Sequence, residues 1–173
     1  MRDVLEKAAR IRLLIFDVDG VLTDGSLYFT EDGKEYKAFN SRDGHGIKML
    51  LGHGVEIAVI TGRTSKIVNH RMNNLGILHV YQGKSDKIPA FEELIADLGI
   101  SPQDTAYVGD DIVDLPVMRR VGLAIAVQDA HPFVKQHAHW QTPKPGGRGA
   151  ARDVCELILE AKGKLNDELE TYL

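Results

Sequence analysis

Residues 11–20 read Ile-Arg-Leu-Leu-Ile-Phe-Asp-Val-Asp-Gly, an apolar run that ends in two carboxylates one residue apart. The run is typical of a buried strand, which places Asp17 and Asp19 where that strand ends. A protein core does not keep ionised carboxylates unless something pairs with them. Mg²⁺ is the natural partner, because it prefers hard oxygen ligands and usually shares its site with phosphate. A strand followed by an Asp-rich turn is the alternative interpretation.

The totals of the sequence limit what the chain can be. Its 173 residues have an average globular composition and a formal net charge of −4, and we expect one domain over residues 1–173. No apolar run approaches the ~20 residues that span a bilayer, and this charge gives no general attraction to nucleic acid. We therefore expect neither a membrane nor a nucleic-acid partner. The single cysteine and the lack of a secretory signal favour a cytoplasmic protein.

Apolar runs alternate with helix-like segments along most of the chain. The pattern predicts five strands, at residues 11–16, 55–60, 77–81, 105–108 and 123–127. This alternation is typical of βαβ units, so we expect an α/β fold, a Rossmann-like three-layer sandwich with a central, mostly parallel sheet. Because such crossovers are right-handed, the carboxyl ends of the strands share one edge, where open α/β sheets bind ligands.

Three segments depart from this alternation. Aromatic-bearing runs on either side of Asp32-Gly33 predict a small β-hairpin insert at about residues 25–40. Residues 142–149 are rich in Pro and Gly and resemble a hinge before a final helix. Residues 163–173 are polar and acidic, and we expect a flexible tail there; a docking segment is the alternative.

Polar side chains collect at the predicted carboxyl edge of the sheet. The strand ends, and the start of the helix after the third strand, supply six of them: Asp17, Asp19, Thr61, Lys87, Asp110 and Asp111. Each is unremarkable alone, since a Thr at a strand end often caps a helix. Their arrival at one edge from four distant parts of the chain indicates a site.

These residue types suit phosphoryl transfer. Such a site must neutralise the phosphoryl oxygens and supply an in-line nucleophile, and a carboxylate can attack to form an aspartyl-phosphate. Mg²⁺ held by two carboxylates offsets the repulsion between the two anions, while a lysine and a hydroxyl hold the phosphoryl oxygens. A second carboxylate must protonate the leaving alkoxide and later activate water. The sequence therefore predicts a Mg²⁺-dependent phosphatase.

The chain resembles the haloacid dehalogenase-like phosphatases across nearly its whole length. Four segments match the motifs of that family in order: Phe16-Asp17-Val18-Asp19-Gly20-Val21, Val59-Ile60-Thr61-Gly62-Arg63, Lys87 and Gly109-Asp110-Asp111. Residues 17–25, 39–44, 107–111, 130–132 and 146–150 are similar to the 3-deoxy-D-manno-octulosonate 8-phosphate phosphatases. The resemblance implies a phosphoric monoester hydrolase that acts on this sugar acid phosphate in lipopolysaccharide biosynthesis, with Mg²⁺ as its cofactor.

The resemblance also implies roles for single residues. Asp17 would be the nucleophile, Asp19 the general acid and base, and Thr61 and Lys87 would hold the phosphoryl group. Asp17 and Asp110 would bind the metal through their carboxylates, and Asp19 through its backbone carbonyl. The implied substrate-binding residues are Asp19, Asn40, Ser41, Arg42, Asp43, Gly44, Lys48, Gly62, Arg63, Arg71 and Lys87.

Some assignments stay open at this point. Asp111 and Asp114 either orient metal-bound water or cap the following helix, where Asp is favourable in any case. Arg63 is the strongest candidate for an anion contact, because it directly follows the Thr61-Gly62 turn. Arg148 either closes over an anion on a mobile glycine-rich loop or lies in a flexible linker.

The chain has no room for the large cap domain that many relatives carry. An open site admits water, which weakens the electrostatic interactions inside it. The resemblance implies a homotetramer in which the hairpin of a neighbouring chain covers the site. Packing of the hairpin aromatics on their own domain is the alternative.

Two other functions stay open. A phosphatase for a nine-carbon sialic-type acid phosphate would share all four motifs and differ only in the shape of its pocket. A catalytically silent relative would bind nucleotide sugars, sugar phosphates or a partner enzyme, since a fold does not guarantee chemistry. The intact set of Asp17, Asp19, Thr61, Lys87 and Asp110 argues against a silent protein.

Overall fold

The computed structural model describes residues 1–173, which form eight helices and eight strands. The helices are α1 (Arg2–Arg10), α2 (Ser41–Gly52), α3 (Lys66–Leu75), α4 (Ile88–Leu98), α5 (Leu115–Met118), α6 (Pro132–His137), α7 (Ala150–Ala161) and α8 (Leu165–Glu170). The strands are β1 (Leu13–Phe16), β2 (Tyr28–Phe29), β3 (Glu35–Tyr36), β4 (Glu56–Ile60), β5 (His79–Tyr81), β6 (Thr105–Gly109), β7 (Leu123–Ala126) and β8 (Trp140–Gln141). No helix has the length and apolar character needed to cross a membrane.

Six strands form one parallel sheet in the order β5-β4-β1-β6-β7-β8, and β2 and β3 pair as a separate antiparallel hairpin. All four residues of β1 are buried, as expected for a central strand covered on both faces. Helices flank the sheet, and the predicted α/β, Rossmann-like fold is confirmed.

The strand order determines where a ligand can bind. From β1 the chain extends the sheet in one direction through β4 and β5, and it then returns to the other side of β1 with β6. Such a reversal leaves a crevice outside the carboxyl ends of the strands. The residues that follow β1, β4 and β6 therefore meet there.

Some predicted elements differ from the structure in their extent. β8 was not predicted as a strand of the sheet, because two residues carry no periodic pattern. The helical segment between β6 and β7 is short: a 3-10 turn at Ile112–Asp114 leads into α5. Lys87 lies at the N-cap of α4, at the start of that helix.

Residues 142–149 are not the predicted hinge. The backbone N–H of Gly147 donates to the carbonyl of Val21 at 2.9 Å, and that of Gly146 donates to the Asp129 carboxylate at 2.9 Å. A Cβ on Gly146 would lie only 1.7 Å from the carbonyl oxygen of Gly20, so only glycine permits this approach. The segment thus packs directly against the loop that follows β1.

Arg148 belongs to this packed segment. Its guanidinium lies 3.1 Å from the Asp24 carboxylate, in the loop after β1. Arg148 therefore links the glycine-rich segment to the loop after β1.

The C-terminal residues 163–173, predicted to be a flexible tail, instead contain α8 and dock on their own chain. Leu165 packs against the hydrophobic core, and the Glu168 carboxylate lies 2.9 Å from His53 Nε2. The Tyr172 ring meets the edge of His45 with centroids 5.5 Å apart. The docked alternative is the one that the structure contains.

Candidate active site

The carboxyl ends of β1, β4 and β6 open into a pocket of about 340 Å³. Its lining contains a single hydrophobic residue, Val113, so the pocket suits a charged, hydrophilic ligand. The lining residues are Asp17, Asp19, Thr61, Gly62, Arg63, Lys84, Ser85, Lys87, Asp110, Asp111 and Val113. All six side chains that the sequence places at the edge are among them.

The loop after β1 is shaped so that it can approach Asp110. The backbone N–H groups of Val21, Leu22 and Thr23 all donate to the carbonyl of Val18, which closes a tight turn. Gly20 adopts a φ of 87°, and a Cβ there would lie 2.1 Å from Asp110 Oδ2. A side chain at this position would therefore displace one of the site carboxylates.

Lys87 is a buried ammonium between two carboxylates. Its Nζ lies 2.9 Å from Asp17 Oδ2 and 2.7 Å from Asp114 Oδ1, and its side chain is 1% exposed. Burial alone would lower the pKa of Lys87, but Asp114 and Asp17 together raise it above its ordinary value. Lys87 therefore stays charged and can hold the oxygens of a bound anion.

Asp114 is the central residue that the sequence analysis left unassigned. Its fully buried carboxylate accepts hydrogen bonds on both oxygens: Lys87 Nζ and the Tyr107 hydroxyl, each at 2.7 Å, donate to Oδ1. The backbone N–H groups of Asp110 and Asp111 donate to Oδ2 at 3.0 and 3.2 Å. Asp114 thus orients Lys87 and fixes the loop after β6, and neither oxygen remains free for a metal.

Asp111 has a different part in the same turn. Its carboxylate accepts from the backbone N–H of Ile112 at 2.7 Å and forms a capping box with Asp114. The three-residue spacing of the two Asp residues is the sequence signal for this cap. The contact of Asp114 with Lys87 joins distant parts of the chain and has no such signal.

Asp17 and Asp110 are the carboxylates available to a metal ion. Ligand oxygens of Asp17, Asp110 and Asp114 lie within 4.8 Å of one another, and Asp114 is fully used by its donors. Burial and the neighbouring Asp114 raise the pKa of Asp17 to about 6, although Lys87 lowers it in part. Burial, Asp114 and Asp17 raise the pKa of Asp110 to about 8.

These raised pKa values indicate a deficit of positive charge, because each carboxylate ionises reluctantly beside the other. A divalent cation would remove this deficit, and carboxylate oxygens are the ligands that Mg²⁺ prefers. The backbone carbonyl of Asp19 accepts no hydrogen bond within the chain, so it is free to join them. The donor set therefore fits the predicted metal ligands.

Asp19 lies on the other side of the pocket, beneath the hairpin. Its Oδ1 is 2.5 Å from Lys37 Nζ, and its Oδ2 is 3.9 Å from Arg63 Nε. Glu35 bridges the two cations, with its Oε1 at 3.1 Å from both Lys37 and Arg63. Sequence reasoning missed Lys37 and Glu35, because their positions depend on how the hairpin folds over the sheet.

The turns after β4 and β5 are joined by backbone hydrogen bonds. Lys84 N–H donates to the carbonyl of Thr61 at 3.0 Å, and Gly83 N–H donates to that of Arg63 at 3.2 Å. This pairing sets the buried Thr61 beside Gly62 and Lys84 in the pocket wall. Lys84 is the one cation of the lining that forms no ion pair, and the sequence analysis did not single it out.

The structure does not bring the other predicted substrate-binding residues to this pocket. They are Asn40, Ser41, Arg42, Asp43, Gly44, Lys48 and Arg71. Asn40 instead caps α2, where its side-chain oxygen accepts from the N–H groups of Arg42 and Asp43 at 2.9 and 3.3 Å. The buried Asp43 carboxylate accepts from Gly149 and Arg152 N–H at 3.3 and 2.9 Å.

These two bonds of the Asp43 carboxylate join α2 to the start of α7. Arg71 lies over the Phe39 ring at 5.9 Å. A Cβ on Gly44 would lie 2.3 Å from the Arg71 guanidinium, so this glycine makes room for the arginine between α2 and α3.

Comparison with known proteins identifies the family. The haloacid dehalogenase-like hydrolase family matches residues 66–152. A 3-deoxy-D-manno-octulosonate 8-phosphate phosphatase of Yersinia pestis is 54% identical over 163 residues, which cover 94% of this chain and 87% of the relative. The chain belongs to this phosphatase family. The Escherichia coli K12 member is likewise 54% identical, over 95% of this chain and 88% of its own length.

Solved structures of the phosphatase family agree with this fold. The crystal structure of the Yersinia pestis member has a TM-score of 0.94 at 54% identity, covering 95% of this chain and 89% of that one. A Moraxella catarrhalis member, crystallised in complex with a magnesium ion, a phosphate ion and a KDO molecule, has a TM-score of 0.98 at 40% identity. The match covers 100% of this chain and 99% of the Moraxella catarrhalis chain. The resemblance stated from the sequence is confirmed.

Mg²⁺ affinity is expected to rise with pH, because Asp17 and Asp110 must lose their protons to serve as ligands. With pKa values of about 6 and about 8 in the metal-free chain, calorimetric titration should show the affinity increasing up to about pH 8 and then levelling.

The same two carboxyl groups make the stability of the metal-free protein depend on pH. Both folded-state pKa values lie above the 3.8 of an unperturbed Asp. The free energy of unfolding of the metal-free protein should therefore fall as the pH rises from about 4 to about 8.

Asp110→Asn should abolish most of the pH dependence of Mg²⁺ binding, and the exposed Asp97→Asn is the matched control. Mg²⁺ affinity that is constant across this pH range, or unchanged in Asp110→Asn, would contradict the assignment of the metal ligands.

Proposed function

We propose that the chain is a Mg²⁺-dependent phosphatase that hydrolyses 3-deoxy-D-manno-octulosonate 8-phosphate to the free sugar acid and phosphate in lipopolysaccharide biosynthesis. The observation that carries this proposal is the polar pocket in which Asp17, Asp110 and Lys87 lie together at the sheet edge. The Moraxella catarrhalis relative, crystallised with Mg²⁺, phosphate and the sugar acid, supports the substrate class.

The reaction proceeds in two steps. Asp17 attacks the phosphorus in line, the bond to the sugar oxygen breaks, and an aspartyl-phosphate forms. Asp19 gives its proton to the leaving alkoxide and then takes a proton from the water that attacks the phosphorus. This second attack releases phosphate and restores the Asp17 carboxylate.

The remaining pocket residues stabilise the transferring group. The Lys87 ammonium and the Thr61 hydroxyl donate to the phosphoryl oxygens, with the backbone of Gly62 beside them. Bound at Asp17, Asp110 and the Asp19 carbonyl, Mg²⁺ supplies the positive charge that offsets repulsion between the nucleophile and the phosphoryl oxygens.

The carboxylate of the sugar acid needs a cation of its own. We assign the binding of this carboxylate to Arg63 and Lys84, which both line the pocket. Arg63 offers a planar fork suited to a carboxylate, although it also contacts Glu35. Lys84 forms no ion pair in this chain and is free to take the charge.

A homotetramer would complete this open pocket. Phe29 and Tyr36 of the hairpin are 56% and 54% exposed and do not pack on the core of their own chain, which favours an interface over the alternative of internal packing. In such an assembly, the other residues that the resemblance implies for substrate binding would serve a neighbouring site: Asn40, Ser41, Arg42, Asp43, Gly44, Lys48 and Arg71. We place the enzyme in the cytoplasm, in keeping with its single, buried cysteine.

Asp17→Asn is expected to lower phosphate release from the sugar acid phosphate by about 1,000-fold or more, because the nucleophile is lost while its volume is kept. The assay is run with added Mg²⁺, and thermal melting checks that the variant is folded. Asp97→Asn should keep wild-type turnover. Substantial turnover by folded Asp17→Asn would mean that another group is the nucleophile, or that no aspartyl-phosphate forms.

The choice of substrate is tested with matched eight-carbon and nine-carbon sugar acid phosphates. We expect the eight-carbon acid to have the higher kcat/KM, because the family assignment implies a pocket built for it. A clear preference for the nine-carbon acid would favour the sialic-type alternative, and no turnover of either would favour a catalytically silent protein.

Sedimentation velocity should find a particle of four times the 19.1 kDa chain. A Phe29→Ser, Tyr36→Ser double variant should shift it to smaller, less active species, because both exposed rings would leave the interface. An exposed Lys34→Met substitution on the same hairpin is the control. A fully active monomer would contradict the proposed cover from a neighbouring chain.

A further inference from the structure

A lysine in the hairpin is buried where the chemistry of leaving-group protonation takes place. Lys37 directly follows β3, and its side chain is 1% exposed. Its ammonium has two carboxylate partners, Asp19 Oδ1 at 2.5 Å and Glu35 Oε1 at 3.1 Å. None of the family motifs recognised in the sequence includes Lys37, and it does not line the pocket.

A contribution to the stability of the fold does not by itself explain why Lys37 is buried at this position. Removing a charge from water is costly, and apolar residues of similar volume often replace buried ion pairs without loss of stability. Lys37 nevertheless sits against Asp19, the residue that must deliver a proton in the proposed reaction.

The contacts of Lys37 distinguish the two oxygens of Asp19. Oδ1 is engaged by Lys37, whereas the nearest cation to Oδ2 is Arg63 Nε at 3.9 Å, too far for a hydrogen bond. Arg63 lines the pocket and Lys37 does not. Oδ2 is therefore the oxygen left to carry a proton toward a bound substrate.

Glu35 completes a closed ring of alternating charges. Its carboxylate accepts from Lys37 and Arg63, each at 3.1 Å, and both cations lower the pKa of Glu35 despite its partial burial. The ring joins the loop after β1, the hairpin and the turn after β4. Each charge in it faces two opposite charges, and the hydrogen bond from Lys37 to Oδ1 limits rotation of the Asp19 carboxylate.

We propose that Lys37 is a positioning residue that holds Asp19 so that its Oδ2 faces the leaving-group oxygen. The inference rests on the proposed role of Asp19 in the phosphatase reaction. An error of about 1 Å in the placement of a reacting group can cost about 100-fold in rate, so loss of this contact should be visible in kinetics.

The test compares two leaving groups. The sugar alkoxide must be protonated as it leaves, whereas p-nitrophenolate is stable as an anion and needs no general acid. The kcat/KM value reports the step in which the leaving group departs, so it is measured for both phosphate esters with added Mg²⁺. The variants are Lys37→Met, Lys37→Gln, Asp19→Asn and the control Lys34→Met, whose lysine lies on the same hairpin with its side chain 81% exposed.

Lys37→Met should lower kcat/KM for the sugar acid phosphate by about 10- to 100-fold and that for p-nitrophenyl phosphate by no more than about 3-fold. Lys37→Gln, which keeps a donor for Oδ1 without the charge, should fall between Lys37→Met and the wild type, and it tests the same point if Lys37→Met fails to fold. Lys34→Met should behave as the wild type.

Two results would overturn the proposal: an equal fall for both esters, which marks a structural role only, or no fall for the sugar ester. The Asp19→Asn variant distinguishes an error in the role of Lys37 from an error in the proposed phosphatase function. If Asp19→Asn shows the leaving-group difference and the Lys37 variants do not, only the role of Lys37 is wrong. If the wild type does not hydrolyse the sugar ester, the proposed function itself is wrong.

Discussion

The site depends on the buried ammonium of Lys87, whose single positive charge cannot balance all the carboxylates around it. Lys87 balances Asp17 and Asp114 at 2.9 and 2.7 Å, while Asp110 stands beside them without a cation, with its pKa raised to about 8. The cluster is therefore incomplete without a further positive charge. A divalent cation meets that requirement, and its charge also offsets that of an incoming phosphoryl group, which is why the metal and the phosphoryl group belong to one site.

The fold keeps this cluster rigid by close backbone approach. Gly20 leaves room for the Asp110 carboxylate, and Gly146 packs on the carbonyl of Gly20. Asp114 adds bonds to two backbone N–H groups and to the Tyr107 hydroxyl. The carboxylates consequently meet a substrate without rearranging, which is the condition for electrostatic stabilisation of a transition state.

Sequence reasoning found the residues that local pattern can place. Asp17, Thr61 and Asp110 each follow a recognisable buried strand, and parallel strands bring their carboxyl ends to one edge. The contact of Asp114 with Lys87 and that of Lys37 with Asp19 could not be predicted. Each joins residues that are distant in the chain, and no local pattern marks such a contact. The composition of residues 142–149 predicts a hinge, whereas Gly146 and Gly147 are required by tight packing against the loop after β1. The C-terminal segment was misjudged for a similar reason, since the partner of Glu168 is His53, which directly follows α2 and is distant in the sequence.

In the proposed reaction, Asp17 carries the phosphoryl group during turnover. The most direct measurement is rapid acid quenching of the enzyme during turnover of the phosphorus-labelled sugar acid phosphate with Mg²⁺, followed by peptide mass spectrometry. We expect the label on the peptide that contains Asp17, at that residue, and we expect it to decay as phosphate is released. A label on a different residue, or turnover with no labelled protein at any quench time, would contradict this role of Asp17.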